Sequence, residues 1–344
     1  MPAKTDLLTA EDALRLNVLL AGEVHAVRID EGARLLVGLT PRGEARVALH
    51  PAGRPDRYFQ QVRELLGGHA LGSPGGYPVH LRRWTRMGQA SQKNLEAMLK
   101  LGEPEAVLAV AYAPTLSDEL ARRVWWAGQG MASLEIARIM LGHAAVRAGT
   151  MGPVLADYLV EHLPFEEDPV AAMHSVRAVL ASGLLADEQR AQLWAKGQRR
   201  PHYLIAFLEV LPDELPAAAP RALPAGLPDT QAARLLARCY SASGQSFLQA
   251  AVLALEKPPA HEAAYLLLDI LGRYFAAGRD AAALAALAAP PQEVAALAAL
   301  AQLSAASAEP ILTRTTAVGP LMRRHLEPLF GPLIVHLQQL RGGT

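Results

Sequence analysis

A 34-residue echo in the C-terminal third constrains this chain more than any other feature. Tyr240 recurs as Tyr274 and Gly244 as Gly278, while Ala242 and Ala251 recur as Ala276 and Ala285. An apolar pair precedes the anchors in both copies, Leu235-Leu236 in the first and Ile270-Leu271 in the second. A fixed period of that length marks helical pairs stacked side by side, each burying its apolar face against the next. Surfaces built that way bind other macromolecules more often than they carry out reactions. The expectation is a helical interaction protein.

Composition supports helices over sheet. Apolar residues make up 51% of the 344, enough to fill two or three cores, but aromatics are only 5%. Alanine and leucine must therefore supply the buried surface, and alanine interfaces let helices approach closely at little side-chain entropy. Lys+Arg and Asp+Glu both total 33, so no global field draws the protein onto nucleic acid or an anionic membrane. The single cysteine, Cys239, excludes an intrachain disulfide and a multi-thiolate cluster. The N-terminus runs into Glu11-Asp12 with no apolar signal core. No stretch reaches the ~20 apolar residues a membrane span needs; even the uncharged run from Val294 to Ala308 is mostly alanine, broken by Gln302 and serines. A cytoplasmic protein with no membrane partner is expected.

Local signals then divide the chain. Thr9-Ala-Glu-Asp12 is a capping-box-like start, with Asp in place of the usual Glu or Gln, opening a short helix. Residues 24–29, 33–37 and 45–49 alternate as short strands between the turn signals Asp30-Glu-Gly32 and Thr40-Pro-Arg-Gly43, which predicts a three-stranded meander. Pro55 opens a helix carrying Tyr58, Phe59, Val62, Leu65 and Leu66 on one face, ended by Gly67-Gly68. A loop, Gly72-Ser-Pro-Gly-Gly-Tyr-Pro78, leads to an extended segment over 79–84. From Ser91 onward the pattern is helical throughout, with caps at Ser117, Ser133 and Asp168-Pro169 and stops at Gly102, Gly142, Gly183 and Gly197. Five prolines between Pro212 and Pro228 break it once, and a last amphipathic segment covers Leu333 to Leu340. The fold class is mainly α: a small N-terminal α/β domain (a β-meander plus helix), then a repeat-like helical region. The expected layout is 1–90, a helical-pair domain over 91–211, a Pro/Ala-rich linker over 212–228, and a helical domain over 229–344.

The echo resembles tetratricopeptide repeats, which pair an aromatic near the middle of the first helix with a small residue at the turn and an alanine in the second helix. Tyr240, Gly244 and Ala251 follow that order, as do Tyr274, Gly278 and Ala285. The usual tryptophan is absent, and the closing prolines Pro258 and Pro290 lie 32 apart.

Candidate chemistry is sparse. Arg82, Arg83 and Arg86 surround Trp84, with Lys93 following; guanidinium groups beside an aromatic suit phosphate contact and base stacking. The competing reading is a solvated interdomain segment whose arginines pair with Glu96 or Glu103, and the zero net charge favours it. The loop over 72–78 lacks the Gly-Lys-Ser/Thr ending of a phosphate loop and leads into an extended segment, so it is a connection. No two histidines share ligand spacing on one helix, and His69 with His80 across the loop lacks an acidic third ligand. Glu166-Glu167-Asp168 sits where carboxylates complement a helix N-terminus. Arg238 beside Cys239 could lower its thiol pKa for a persulfide-carrying role, yet a cysteine on an Ala/Leu helix is usually buried packing. No catalytic motif, metal site or cofactor is expected.

Ala10-Glu-Asp-Ala-Leu-Arg-Leu-Asn-Val-Leu-Leu20, Gly72-Ser-Pro-Gly-Gly-Tyr-Pro78, Arg83-Trp-Thr-Arg-Met-Gly88, Leu101-Gly-Glu-Pro-Glu-Ala-Val107, Asp118-Glu-Leu-Ala-Arg-Arg-Val-Trp-Trp126 and Leu163-Pro-Phe-Glu-Glu-Asp-Pro169 together resemble the DsrS family. Those are soluble proteins encoded with the dissimilatory sulfur-metabolism proteins of sulfur-oxidising bacteria. The likeness covers about residues 1–215 well and the rest loosely. It implies a cytoplasmic accessory or regulatory role in oxidising stored sulfur, with no established enzymatic activity and no functional residue to carry over; joined to the helical scaffold, it leads to the expectation of a non-enzymatic protein acting through a protein partner. An RNA-binding regulator using Arg82, Arg83, Trp84 and Arg86 is the alternative.

Overall fold

The structure, a computed structural model, describes residues 8–51, 53–72, 91–130 and 133–342. It is mainly α: 66% helical, with 18 α-helices and one three-stranded antiparallel sheet near the N-terminus among the described residues. The chain forms two compact units, Met1–Tyr158 and Leu159–Thr344. The division falls inside the stretch expected as one domain over 91–211.

The first unit begins with α1 (Ala10–Ala21), the strands β1 (Ala26–Asp30), β2 (Leu35–Thr40) and β3 (Gly43–Ala48), and α2 (Pro55–Leu71). The strands pair as a meander in the order β1-β2-β3, with Val27 opposite Gly38 and Val37 opposite Arg46. The polar turn residues set that register. Asp30 Oδ1 accepts from the Ala33 amide at 2.8 Å in the first turn, and Gly43 supplies a φ of 112° in the second. Leu16, Leu20, Val27, Leu36, Tyr58, Phe59, Val62 and Leu66 form the core between sheet and helices.

Thr9 caps α1 by accepting from the Asp12 amide at 3.1 Å. The reciprocal arm of a capping box is missing, because the Asp12 side chain turns inward instead. Gly67-Gly68 do not end α2, contrary to the sequence reading. Glycine stops a helix by turning left-handed, and here Gly72 does so with φ 63°. A helical layer follows: α3 (Gln92–Met98), α4 (Pro104–Ala111), α5 (Asp118–Ala127), α6 (Ser133–Leu141), α7 (Ala144–Arg147) and α8 (Met151–His162), which carries the division between the units. Its attachment to the sheet includes the Val27 amide donating to Leu99 O at 2.8 Å.

In the second unit come α9 (Pro169–Ser182), α10 (Asp187–Gly197), α11 (Pro201–Val210), α12 (Gln231–Tyr240), α13 (Ala242–Glu256), α14 (His261–Tyr274), α15 (Ala281–Ala285), α16 (Pro291–Ala301), α17 (Glu309–Leu312) and α18 (Gly319–Arg341). Asp168 caps α9 at 3.0 Å ahead of Pro169, and Ser117 caps α5 in the first unit at 3.2 Å.

The two copies of the echo fold unequally. The first is two full helices hinged on Ser241, which ends α12 and caps α13. The second is α14, a 3₁₀ turn over Ala276–Arg279 and the five-residue α15. Tyr240 and Tyr274 each close a helix rather than sitting at its middle.

The prolines of 212–228 exclude helix, as expected, but the segment is a bound strap inside the second unit rather than a free tether. The Leu215 amide donates to Ser243 Oγ at 3.1 Å, the Ala218 amide to Ala242 O at 3.1 Å and the Arg221 amide to Tyr240 O at 2.9 Å. The final helix is also longer than the segment 333–340, since it contains Pro328 and Pro332. Its buried stripe of Met322, Leu326, Phe330, Leu333, Leu337 and Leu340 outweighs the hydrogen bonds those prolines remove.

Candidate functional site

Arg82, Arg83, Trp84 and Arg86 lie outside the described residues, as do His80 and the segment 79–84. Lys93 is exposed on α3, and Glu96 faces Arg123 at 3.9 Å.

In the first unit, a recess of about 650 Å³ is lined by Val27, Arg28, Arg46, Arg63, Val107 and Gln129, among others. Its arginines are engaged within the protein. Arg28 donates to Gln129 Oε1 at 2.7 Å and lies 4.9 Å over the Trp126 ring, Arg46 pairs with Glu44 at 3.1 Å, and Arg63 with Glu31 at 2.6 Å. Glu44 also accepts from Trp126 Nε1 at 3.0 Å, and that bond leads the causes holding its carboxyl below the ordinary range. The wall is a balanced ion network.

The same unit holds a buried carboxylate the sequence did not flag as a site. Asp12, only 1% exposed, accepts from the Tyr58 hydroxyl at 2.6 Å, the His50 amide at 3.1 Å and His50 Nδ1 at 2.9 Å. Burial pushes the Asp12 pKa up, but the bonds from Tyr58 and His50 outweigh it and leave the carboxyl below its usual value. An aspartate on Nδ1 with the imidazole more than half exposed has the form of a general-base pair. No serine, threonine or cysteine bonds to His50 among the described residues, so the cluster acts here as a pin joining α1, the end of β3 and α2.

The second unit holds the more distinctive arrangement. Both echoed tyrosines carry an arginine on the ring: Arg221 lies 4.1 Å over Tyr240, and Arg238 lies 3.7 Å over Tyr274. The first pair closes a latch. Arg221 donates to Glu293 Oε1 at 2.9 Å and to Leu340 O at 2.8 Å, while the Tyr240 hydroxyl donates to Glu293 Oε2. Glu293 is 3% exposed, so the strap, α12 and α16 are joined through one buried carboxylate, and Arg221 carries the link on to α18.

The second pair is bordered by two hollows. One, of about 230 Å³, is lined by Leu208, Glu209, Pro212 and Ile270; the other, of about 260 Å³, by Gln231, Arg234, Leu235 and Ala277. Arg238, Arg273 and Tyr274 line both. Arg238 is committed to Asp213 by bonds of 2.5 and 2.8 Å, and Tyr274 stacks on Phe247 with ring centroids 3.7 Å apart.

Cys239 lies between these pairs in sequence and is fully buried. Burial pushes its thiol up to about 12, against a smaller opposing pull from Arg238. The thiol is therefore protonated at neutral pH.

Sequence reasoning reached Tyr240, Tyr274 and Cys239 but missed the arginines that cover the rings. Arg238 was legible as a neighbour of Cys239, whereas nothing local marks Arg221 in the proline-rich strap. Compared with known proteins, the chain matches no family model, no curated protein and no solved structure.

Proposed function

We propose that this protein is a non-enzymatic cytoplasmic accessory protein of dissimilatory sulfur oxidation, of the DsrS kind, acting through protein–protein contact on its helical scaffold. The resemblance of residues 10–169 supplies the pathway. One surface feature supports the mode of action. The outer side of α18 carries Leu321, His325, Pro328, Pro332 and Val335, all exposed, with Leu321 at 53% and Val335 at 50%. At 100° per residue they fall within about 40° of a single line, forming an apolar stripe about 21 Å long opposite a closely packed face. An apolar helix face of that length suits a helical or extended protein segment. The sealed thiol of Cys239 fits an accessory better than a sulfur carrier.

The full chain, immobilised and exposed to extract from cells oxidising reduced sulfur, should retain a protein partner after nuclease treatment. Leu321→Glu with Val335→Glu should abolish that capture while the circular dichroism spectrum stays unchanged. Capture that disappears with nuclease would replace this reading with RNA binding through Arg82, Arg83, Trp84 and Arg86.

A further inference from the structure

The meander leaves one edge open. The outer edge of β1 is engaged, since the Val27 amide donates to Leu99 O at 2.8 Å. β3 forms the other edge, and only β2 pairs with it. The Leu49 amide donates to Arg34 O, and Thr40 faces Gly43 across the two-residue turn, so the odd-numbered residues of β3 bond inward. The amides and carbonyls of Glu44, Arg46 and Ala48 therefore point outward. All three residues are exposed, and these backbone groups have no partner among the described residues. An edge of this kind is a template for another strand.

An apolar shelf flanks that edge. α1 runs alongside β3, from Asp12, which holds the His50 amide, to Leu19, whose side chain packs over Gly38 opposite Ala45. Leu14 and Val18, four residues apart on α1, are 64% and 68% exposed and form an open groove with Val47 and Ala48. Large apolar side chains grouped beside unpaired backbone mark a surface that another chain covers.

The charges on the edge identify that chain as a second copy. Glu44 and Arg46 stand two residues apart, on one face of the strand. Antiparallel pairing of β3 with its own copy, two-fold about Ala45, sets each Glu44 directly opposite the other copy's Arg46. Both rungs then close through the outward backbone groups. Centring the pairing on Glu44 or on Arg46 instead would oppose like charges. Arg46 gives one guanidinium nitrogen to its own Glu44 at 3.1 Å and is 67% exposed, so its other donors are available across the axis. A net charge of zero adds no repulsion between copies. The same axis places both α1 helices on one side of the joined sheet. Val18 precedes Leu19, which sits at the level of Ala45, so each Val18 comes near its counterpart.

We propose that the chain forms a two-fold dimer in which β3 pairs antiparallel with the β3 of a second copy about Ala45. The two three-stranded sheets become continuous, with Leu14 and Val18 of both α1 helices packed across the axis. The interface uses only the N-terminal unit and does not depend on the role in sulfur oxidation.

Sedimentation equilibrium of the full chain from about 1 to 200 μM tests it, the range in which an interface on one short edge associates. The average mass should rise toward twice the monomer's. Val18→Asp, at an exposed position, should weaken association at least about tenfold, with an unchanged circular dichroism spectrum. Arg46→Glu alone and Glu44→Arg alone should each be monomeric, because each sets like charges opposite one another. An equimolar mixture of those two variants should form a heterodimer, since both cross-strand pairs are then complementary again. Oxidation reads the register, the one native thiol being buried. Ala45→Cys should yield a disulfide-linked dimer, because a non-hydrogen-bonded pair sits about 4.5 Å apart between Cα atoms. Ala48→Cys should not, lying about 20 Å from its copy in this register. Any of four results overturns the proposal: a monomer throughout that concentration range, association that withstands both Val18→Asp and Arg46→Glu, a mixture of correctly folded charge variants that stays monomeric, or Ala48→Cys linking as readily as Ala45→Cys.

Discussion

Replacing Gly244 by alanine tests what the echo is for. An added Cβ there would lie 1.9 Å from Arg238 O and 2.7 Å from Cys239 O, where real Cβ atoms essentially never come within 3.0 Å. Relief needs a shift of more than an ångström. The obstructing atom is a backbone carbonyl in the last turn of α12, tied down by the Ser241 hydroxyl at 2.7 Å. Overpacking of this kind costs about 3 kcal/mol, toward the upper end of its range because no flexible side chain can give way. Alanine returns about 1 kcal/mol of helix propensity, leaving about 2 kcal/mol net. For a unit of this size that lowers the melting temperature by about 4–8 °C.

Gly68→Ala is the internal control. Gly68 is exposed within α2, and its added Cβ meets nothing within 4 Å. There only the propensity gain of up to about 1 kcal/mol remains, and melting should rise. Thermal unfolding followed by far-ultraviolet circular dichroism reads both signs. Gly244→Ala melting at or above the parent would refute the argument that α12 and α13 meet backbone to backbone.

Three further outcomes are expected. Asp12 has a folded pKa below its usual 3.8, so its contribution is present above that value and lost as pH falls through the folded one; Asp12→Ala should cost about 3 kcal/mol at pH 7 in urea titration and flatten the acid limb of stability. With a thiol pKa of about 12, only about one Cys239 in 10⁴ is thiolate at pH 8, so alkylation should be slow until denaturant exposes it, and under the proposed accessory role Cys239→Ser should leave cellular sulfur oxidation nearly unchanged. Mixed-sequence RNA should bind no tighter than about 10 μM near physiological salt; submicromolar binding with a log–log salt slope near −2, abolished by Arg82/Arg83/Arg86→Ala without a change in melting, would establish the basic cluster as a polyanion site.

Much of the secondary structure was legible locally because its signals are short-ranged. The caps at Thr9, Ser117 and Asp168-Pro169 each involve atoms two or three residues apart, and hairpin turns such as Asp30-Glu-Gly32 set their own register. Where the sequence reading departed from the structure, the deciding partner was distant or conformational. Gly67-Gly68 stayed helical because the left-handed turn fell to Gly72, and Pro328 and Pro332 stayed inside α18 because its buried stripe holds that helix.

The sequence by itself determined that this is a mainly helical chain with a small meander at its start, and that Tyr240 and Tyr274 occupy equivalent places. Tertiary structure alone decided what those places do. The 34-residue period fixes where each ring falls along the chain, but not which arginine reaches it. Arg221 arrives from 19 residues upstream, and Glu293 from 53 residues downstream, of Tyr240. Phe247 and Arg238, on two different helices, are brought against Tyr274. Periodicity carries information along one helix, whereas a buried polar group finds its partner across the fold, wherever chain packing happens to bring a matching charge.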